Sequence, residues 1–276
     1  MSMSALDRLQ AAATRTGGVL SVGLEPSPDY LPTGFAPTFD GYASFLKLIV
    51  EETRDLACAY KFNLGFFESL GADGARLLEQ TRALIPDGAF LIIDGKRGDI
   101  GSTARHYARA CFETLGADAA TVNPLMGRDA AMPFLEYADK LTFFLVVTSN
   151  PGAGDFLLVD GLYRRIARHI VSWAEHGNAG FVVGATRADR VEEVRAIAPE
   201  VPFLVPGVGA QGGEIEAVVQ SGRGDAMHPT LLFHVTRGIL PQADDPRDAG
   251  QVIRERAEGW LENIRSAMRN HSGGGP

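Results

Sequence analysis

The amino-acid sequence predicts a single-domain α/β protein, a (β/α)8 TIM barrel, on three observations. Its 276 residues are a length at which such barrels commonly form one domain. Short apolar runs recur along the chain, and continuous runs of this kind are typical of parallel strands buried on both faces. The segments between them have helical spacing, and strands that alternate with helices in this way indicate a closed barrel.

Each predicted strand corresponds to a definite stretch of sequence. The strands are predicted at residues 18–25, 58–67, 89–97, 119–124, 141–150, 179–186, 202–209 and 231–240. Residues 42–56, between the first two strands, have the spacing of an amphipathic helix. The apolar stripe of that helix consists of Phe45, Leu48, Ile49 and Leu56. A second helical stripe, made by Val191, Val194 and Ile197, separates the sixth and seventh strands.

An open, doubly wound parallel sheet is the alternative to the barrel. No G-x-G-x-x-G motif follows the first strand, which argues against the dinucleotide-binding form of that fold. No shift in composition divides the chain, so we expect residues 1–276 to form one barrel domain with an additional N-terminal helix. The Pro- and Gly-rich stretch 26–41 is predicted to be a loop, and the tail 271–276 to be disordered.

Charge and composition argue against several classes of protein. The net charge of −8 disfavours a nucleic acid or an anionic membrane as the main partner, although a pocket can still bind a small anion. No run approaches the ~18 apolar residues of a membrane span, and the start of the chain lacks the apolar core of a signal peptide. Cys58 and Cys111 lack the spacing of metal ligands, so we expect reduced thiols in the cytoplasm.

Polar side chains collect where the predicted strands end. They are Glu25, Lys61, Asn63, Asp94, Lys96, Asn123, Thr148, Ser149, Asn150, Thr186, Gln211 and Arg237. Each of them alone can be explained as a cap or turn residue. Because TIM barrels carry their chemistry at the C-terminal ends of the strands, the whole set predicts a polar pocket at that end.

The third strand carries the most informative of these residues. Side chains alternate between the two faces of a strand, so Asp94 and Lys96 share a face if the extended conformation lasts through Gly95. Lys61 ends the neighbouring strand, about 4.8 Å away, which predicts a charged cluster. Attraction of roughly 4 kcal/mol between unit charges about 4 Å apart, at an effective dielectric of about 20, helps keep both lysines charged. A structural salt-bridge network is the alternative interpretation.

Glycines after the seventh strand suggest an anion site. The segment 206–213, PGVGAQGG, ends that strand, and loops after strands seven and eight of TIM barrels often bind phosphate. Small residues let backbone amides approach an anion. Arg237, after the eighth strand, can offer a bidentate fork to the same phosphate. The alternative is a tight turn between strand and helix.

Six motifs occur in a characteristic order. They are YKFNLGFFE (60–68), DGKRGDIGSTA (94–104), TSNPG (148–152), VVGAT (182–186), PGVGAQGG (206–213) and TRGIL (236–240). The D-x-K-x-x-D pattern of the second also occurs in related phosphosugar barrels. In combination with TSNPG and PGVGAQGG, it resembles the orotidine 5′-phosphate decarboxylase family, and most of all its longer bacterial branch (type 2). The resemblance covers residues 18–240.

This resemblance implies a homodimer that uses no metal or organic cofactor. Such an enzyme removes CO2 from orotidine monophosphate to give uridine monophosphate in pyrimidine biosynthesis. Carried over by position, Lys61, Asp94 and Lys96 would form the charged array of one subunit. Asp99 would complete the active site of the other subunit, accompanied toward the ribose by Thr103.

The same resemblance implies the ligands of the substrate. Ser149 would bond the pyrimidine ring, and Gln211 and Arg237 would hold the phosphate together with backbone amides near Gly209 and Gly213.

Two positions depart from the family pattern. Glu25 stands where many members have the Asp that contacts the ribose, and we expect it to reach the same hydroxyl. His234 and Val235 stand where small polar residues are usual, and His234 is predicted to be a packed core residue and not a catalyst.

The implied reaction places a specific demand on the site. Loss of CO2 from C6 leaves a carbanion with no adjacent electron sink, and no pyridoxal, thiamin or metal motif is visible in the sequence. Lys96 is therefore the candidate for a fixed cation that stabilises this charge and then protonates C6. Asp94 would lie against the departing carboxylate, and Lys61 and Asp99 would hold Lys96 in place.

Three other functions remain open from the sequence. A metal-assisted phosphosugar lyase on the same barrel would need Mg2+, for which Glu25 and Asp94 are possible ligands. A Schiff-base aldolase would need an uncharged lysine, which the flanking carboxylates disfavour. A nucleotide-binding protein without activity is the third, and an intact charged array argues against it.

Overall fold

The chain folds into a closed barrel of eight parallel strands. The computed structural model describes residues 3–209, 213–224, 229–242, 245 and 247–271. The strands are β1 (Leu20–Leu24), β2 (Ala59–Asn63), β3 (Phe90–Arg97), β4 (Ala119–Val122), β5 (Leu141–Val147), β6 (Ala179–Val183), β7 (Phe203–Pro206) and β8 (Leu231–Val235). Each strand pairs with the next, and β8 closes on β1 with Ser21 opposite His234. The predicted (β/α)8 TIM barrel is confirmed, and the open sheet is excluded.

Helices alternate with the strands. Within the described ranges they are α1 (Ala5–Thr16), α2 (Phe39–Thr53), α3 (Leu64–Glu68), α4 (Gly71–Arg82), α5 (Gly101–Arg109), α6 (Arg128–Leu135), α7 (Leu162–Trp173), α8 (Ala188–Ile197), α9 (Gly213–Gly222) and α10 (Ala249–Asn270). A π-helical turn at Ala110–Thr114 continues α5. Short 3-10 turns follow β1, β4 and β5. The predicted loop 26–41 contains one such turn at Pro28–Tyr30, and its last three residues belong to α2 instead.

The strands are shorter than the apolar runs that predict them. After β2, residues 64–67 form the start of α3 instead of extending the strand. Asn63 favours this change, because its side-chain oxygen accepts a hydrogen bond from the amide of Gly65 at 3.3 Å and so caps the helix. Residues 236–240, predicted as the end of β8, form a turn that carries Arg237.

Helix α1 packs at the N-terminal end of the barrel. Ser4 begins the helix in a capping box, in which its side chain and that of Asp7 each accept the other's backbone amide. Nε of Arg8 lies 2.6 Å from Asp118, the residue before β4. The same carboxylate accepts the amide of Leu91 in β3 at 2.9 Å. The contacts of α1 therefore leave the opposite end of the barrel, where the strands finish, open.

Helix α2 buries the apolar stripe that its sequence predicts, with one shift. Phe45 and Ile49 are buried as expected. Leu48 is only partly buried, and Leu46 takes the more buried position. Leu56 is also buried, but it lies past the end of the helix.

No helix in the part of the chain that the structure describes is long and apolar enough to cross a membrane. Gln211 and residues 272–276 of the predicted disordered tail lie outside the described residues.

Candidate active site

A cavity of about 790 Å³ opens at the C-terminal ends of the strands, the end at which TIM barrels carry their active sites. One part of its wall is apolar and includes Leu145, Val182 and Leu204 from β5, β6 and β7. Its polar lining residues are Glu25, Lys61, Asn63, Asp94, Lys96, Thr121, Thr148, Ser149, Asn150, His234, Thr236 and Arg237. Nine of the polar residues that the sequence places at strand ends thus line one cavity.

Asp94 is the centre of a charged cluster in this cavity. Its Oδ2 lies 2.5 Å from Nζ of Lys61, and its Oδ1 lies 2.7 Å from Nζ of Lys96. The side chain of Lys61 is 4% exposed, whereas that of Lys96 is 48% exposed. One ammonium is therefore fixed within the wall, and the other faces the open cavity.

The ionisation of Asp94 follows from these contacts. Burial by itself would raise the pKa of Asp94, because a low-dielectric surrounding disfavours the charged form. The charges of Lys61 and Lys96, and the hydrogen bonds they donate, outweigh burial and hold the pKa of Asp94 well below its ordinary value. Asp94 is therefore a carboxylate at neutral pH and has no proton to give to a ligand.

The backbone of Lys96 differs from the sequence prediction. The expectation that Asp94 and Lys96 share a face was conditional on an extended backbone through Gly95. The register of β3 is irregular between Ile93 and Arg97, and Lys96 has a φ of 45°. Residues other than glycine rarely adopt this left-handed region, and those that do cluster at functional sites. Nζ of Lys96 still reaches Asp94, because the long side chain compensates for the turn in the backbone.

The hydroxyl of Thr121 in β4 links the carboxylate of Asp94 to the backbone of Lys96. It donates to Oδ1 of Asp94 at 2.7 Å and accepts the backbone amide of Lys96 at 2.9 Å. Sequence reasoning missed this residue. Period-two alternation would have found it, because Thr121 stands two positions before Asn123, which the strand-end pattern did single out.

Glu25 lies beside the charged cluster. Its Oε1 accepts a hydrogen bond from the side-chain amide of Asn63 at 3.3 Å and lies 4.0 Å from Nζ of Lys61. Its side chain is 10% exposed, and it lines the cavity. The carboxylate is therefore held at the edge of the cluster.

His234 is buried, as expected of a core residue, but it also lines the cavity. Nδ1 lies 3.2 Å from Oγ of Ser21, and Nε2 lies 3.2 Å from Oγ1 of Thr236. Burial and then the charge of Lys61 hold the pKa of His234 well below its ordinary value. The ring is therefore neutral and connects two hydroxyl groups.

Ser149 and Arg237 lie on the part of the wall that β5, β7 and β8 contribute. Gly207 has a φ of 80°, and a Cβ at this position would lie 3.1 Å from Oγ of Ser149, so glycine permits the close approach of the two loops. Arg237 is exposed to the cavity. The carbonyl of the next residue, Gly238, accepts the indole N–H of Trp260 at 3.2 Å.

One backbone amide of the glycine-rich segment already donates a hydrogen bond to an acidic side chain. The backbone amide of Gly209, which the sequence assigns to a phosphate, donates to the carboxylate of Glu214 in α9. Gly213 is the first residue of that helix. A phosphate that reached the Gly209 amide would have to displace Glu214.

Besides Gly209 and Gly213, four described residues predicted from the sequence do not line the cavity of their own chain. Asp99 precedes α5 and accepts the following backbone amide at 2.7 Å. Thr103 is exposed on α5. Asn123 caps the 3-10 turn after β4, and Thr186 lies in the loop after β6.

The carboxylates near the cavity face an ammonium group. Among the residues that the structure describes, no three His, Cys, Asp or Glu side chains group closely enough to hold a metal ion. Glu25 and Asp94, the possible metal ligands, both face Nζ of Lys61, at 4.0 and 2.5 Å. The lysine therefore lies where a divalent cation would bind both carboxylates.

Known proteins resemble this chain over nearly its whole length. Residues 20–253 match the model of the "Orotidine 5'-phosphate decarboxylase / HUMPS family". The orotidine 5′-phosphate decarboxylase of Roseiflexus castenholzii is 43% identical over 274 residues, which are 97% of this chain and 99% of that protein. That of Azoarcus sp. is 44% identical over 245 residues, 86% of this chain and 90% of its own. The structure of Leishmania donovani OMP decarboxylase matches with a TM-score of 0.82 and 36% identity, and covers 97% of this chain and 99% of its own.

Proposed function

The chain belongs to the orotidine 5′-phosphate decarboxylase / HUMPS family, and we propose that it converts orotidine monophosphate into uridine monophosphate and CO2. The observation that carries this proposal is the contact of Asp94 with both Lys61 and Lys96 inside the cavity. A decarboxylation that leaves a carbanion without an electron sink needs a fixed positive charge at the reacting carbon. The cluster offers that charge on Lys96, whose ammonium faces the open cavity.

The phosphate of the substrate is assigned to the loops after β7 and β8. Arg237 faces the cavity and has the planar fork that binds phosphate oxygens in pairs. Gln211 and the amides of Gly209 and Gly213 are assigned to the same phosphate on the family pattern. The phosphate is remote from the reacting carbon. Its binding energy can still lower the barrier to decarboxylation, because it orients the base and excludes water from the cavity.

The ribose and the base are assigned to the inner part of the cavity. Glu25, held by Asn63, is assigned to a ribose hydroxyl. Ser149 is assigned to a hydrogen bond with the pyrimidine ring. The apolar wall, which includes Leu145 and Val182, suits one face of the base and the uncharged CO2 that leaves it.

The chemical step uses Lys96 twice. The bond between C6 and the carboxylate breaks, its electron pair remains on C6, and CO2 leaves. The ammonium of Lys96 stabilises this negative charge and then donates a proton to C6, which gives uridine monophosphate and a neutral amine that water reprotonates. No redox change occurs, and no metal or organic cofactor takes part in the step.

Asp94 and Lys61 are assigned to the environment of Lys96. Asp94 is ionised because two ammonium groups hold its pKa down. It can therefore lie against the substrate carboxylate as a like charge, and this repulsion is relieved when CO2 forms. Lys61, fixed 2.5 Å from Asp94, keeps that carboxylate in place.

We further propose that the enzyme is a homodimer with shared active sites. Asp99 and Thr103 do not line the cavity of their own chain, which fits residues that act in the cavity of a partner. Large apolar side chains are exposed in the loops after β3, β4 and β5, next to the cavity. They are Ile100 (50%), Leu125 (56%), Met126 (50%) and Phe156 (71%). Surfaces that another protein covers typically carry such side chains.

A cytoplasmic location is part of the same proposal. Cys58 and Cys111 are both buried and unpaired, which suits a reducing compartment.

One assay tests the proposed reaction. The purified protein is mixed with orotidine monophosphate in the presence of EDTA, and the loss of its ultraviolet absorption is followed. Turnover that persists in the chelator is the expected result. Absence of turnover without EDTA would refute the proposed function, and turnover that EDTA abolishes would instead favour a metal-assisted reaction.

A further inference from the structure

We propose that Thr121 is a positioning residue for the reaction: its hydroxyl orients the carboxylate of Asp94 and the backbone of Lys96 together. This inference rests on the proposed function, in which Lys96 acts on the substrate. Thr121 is an uncharged side chain of β4, outside every motif that links the chain to its family. Its role follows from its contacts alone.

The first contact fixes the rotation of the Asp94 carboxylate. Oγ1 of Thr121 donates to Oδ1 of Asp94 at 2.7 Å, and the same oxygen accepts Nζ of Lys96 at 2.7 Å. The other oxygen, Oδ2, accepts Nζ of Lys61 at 2.5 Å. With one oxygen held from β4, the carboxylate cannot turn without breaking a charge-assisted hydrogen bond.

The second contact holds the unusual backbone of Lys96. The amide of this residue donates to Oγ1 of Thr121 at 2.9 Å. Lys96 has a φ of 45°, a conformation that a residue with a Cβ keeps only when its surroundings enforce it. The hydroxyl of Thr121 therefore accepts a hydrogen bond from the backbone amide of Lys96. It also donates one to Asp94, the carboxylate that binds the ammonium of Lys96.

Thr121 itself is almost completely enclosed, although it forms part of the cavity wall. The side chain of Thr121 is 1% exposed. A buried hydroxyl that uses both its hydrogen and a lone pair is fixed in orientation. The arrangement of Lys96 is thus set before a substrate enters, which is the preorganisation that electrostatic stabilisation requires.

The neighbouring strand provides a matched control. Thr142 of β5 is 0% exposed, and its hydroxyl has no hydrogen-bond partner. Thr142 pairs in register with Ala120, next to Thr121 in sequence. Replacement of either threonine by valine conserves shape and removes a hydroxyl, but only at Thr121 are hydrogen bonds lost.

The test compares Thr121→Val, Thr121→Ser and Thr142→Val in the full-length protein. Steady-state turnover of orotidine monophosphate is measured together with the Kd of uridine monophosphate and the melting temperature. We expect Thr121→Val to lower kcat by roughly ten- to hundred-fold, the range for a lost hydrogen bond to a charged group, with little change in KM or in the Kd of the product. Thr121→Ser should retain most of kcat, and Thr142→Val should match the wild type.

Three results would overturn the inference. They are an unchanged kcat in Thr121→Val, a Thr121→Ser variant as slow as Thr121→Val, and an equal loss in Thr142→Val. If the wild type does not act on orotidine monophosphate, the proposed function fails, and a crystal structure of Thr121→Val then tests the inference by itself. We expect Lys96 to leave the positive-φ region and Asp94 to rotate in that variant, and unchanged positions of both residues would refute the positioning role.

Discussion

Nζ of Lys96 lies 2.7 Å from Oδ1 of Asp94, although the backbone of Lys96 has turned into the left-handed region with a φ of 45°. The two residues are separated by one glycine in sequence, and an extended strand would bring their side chains to the same face. The structure reaches the same contact by a different backbone path, which leaves the ammonium at the open side of the cavity.

Lys96 is expected to be essential for turnover and dispensable for binding. Lys96→Ala removes the cation that faces the cavity, and we expect kcat to fall by roughly 10²- to 10³-fold or more. The Kd of uridine monophosphate, measured by calorimetry, should change far less, because the phosphate, which we assign to Arg237, lies at the other end of the nucleotide. Lys47→Ala, at an exposed position of α2, is the control. Decarboxylation at a near-normal rate in Lys96→Ala would remove Lys96 from the proposed step.

Shared active sites predict that two inactive variants rescue each other. Lys96→Ala and Asp99→Ala should each be inactive as a homodimer. In a hybrid dimer, one site carries both substitutions and the other carries none. Refolding an equal mixture should therefore restore roughly a quarter of the wild-type activity. No recovery, in a mixture shown by sedimentation to contain dimers, would mean that Asp99 acts in its own chain or not at all.

Arg237 is expected to serve the phosphate and, through it, the chemical step. Arg237→Ala should raise KM for orotidine monophosphate by roughly ten- to hundred-fold and also lower kcat, because remote binding energy is used to orient the base. Turnover of orotidine, which has no phosphate, should be unchanged. Arg269→Ala, at the end of α10 and paired with Glu262, provides a surface control. If both kinetic constants stay at their wild-type values, Arg237 is not in the site.

Glu214 is expected to oppose phosphate binding. Its carboxylate accepts the amide of Gly209, so it must leave before a phosphate can use that donor. Glu214→Gln removes the negative charge, and we expect uridine monophosphate to bind roughly two- to five-fold more tightly. Glu216→Gln, an exposed position of the same helix, should leave the Kd unchanged. Weaker binding in Glu214→Gln would show that the carboxylate supports the loop that binds phosphate.

His234 is expected to make the stability of the fold depend on pH. Burial and the charge of Lys61 lower its pKa, so the folded ring stays neutral below the ordinary range of a histidine. The unfolded chain binds a proton there below pH ~6.5, so the free energy of unfolding should fall with decreasing pH by up to about 1.4 kcal/mol per unit. Above pH ~6.5 this contribution is constant.

Urea unfolding from pH 7.5 to 5 tests this dependence. The difference between wild type and His234→Gln should shrink as the pH falls, because only the wild type loses stability through this site. His169→Gln, which changes an exposed histidine of α7, should keep the slope of the wild type. An identical slope in His234→Gln would show that other groups control the pH dependence.

The sequence predicts the barrel because the barrel is encoded by short, local patterns. Strands such as 141–147 are continuous apolar runs, and α2 has an apolar stripe with helical period. The ends of the elements are less predictable. The chain beyond Asn63 is as apolar as β2, yet it forms α3, which the side chain of Asn63 caps.

The charged residues of the candidate site were predictable, because they stand out at the ends of apolar runs. Lys61, Asp94, Lys96 and Arg237 were found because charged residues within an apolar run or directly after it are conspicuous. Thr121 and Thr236 were missed, because both lie within predicted strands, where a threonine is usual for its β propensity and does not signal a site. His234 was predicted to be a core residue. Its position in the cavity wall depends on the pairing of β8 with β1, which the sequence does not show.

The sequence alone determined that eight strands form a barrel and that a carboxylate and two amines lie at its C-terminal end, since period-two alternation and strand ends are local properties of the chain. The tertiary structure decided the backbone turn at Lys96, the hydroxyl that holds it, and the position of Glu214 on the Gly209 amide. These depend on contacts between strands, or across a loop, whose geometry exists only after the barrel has closed.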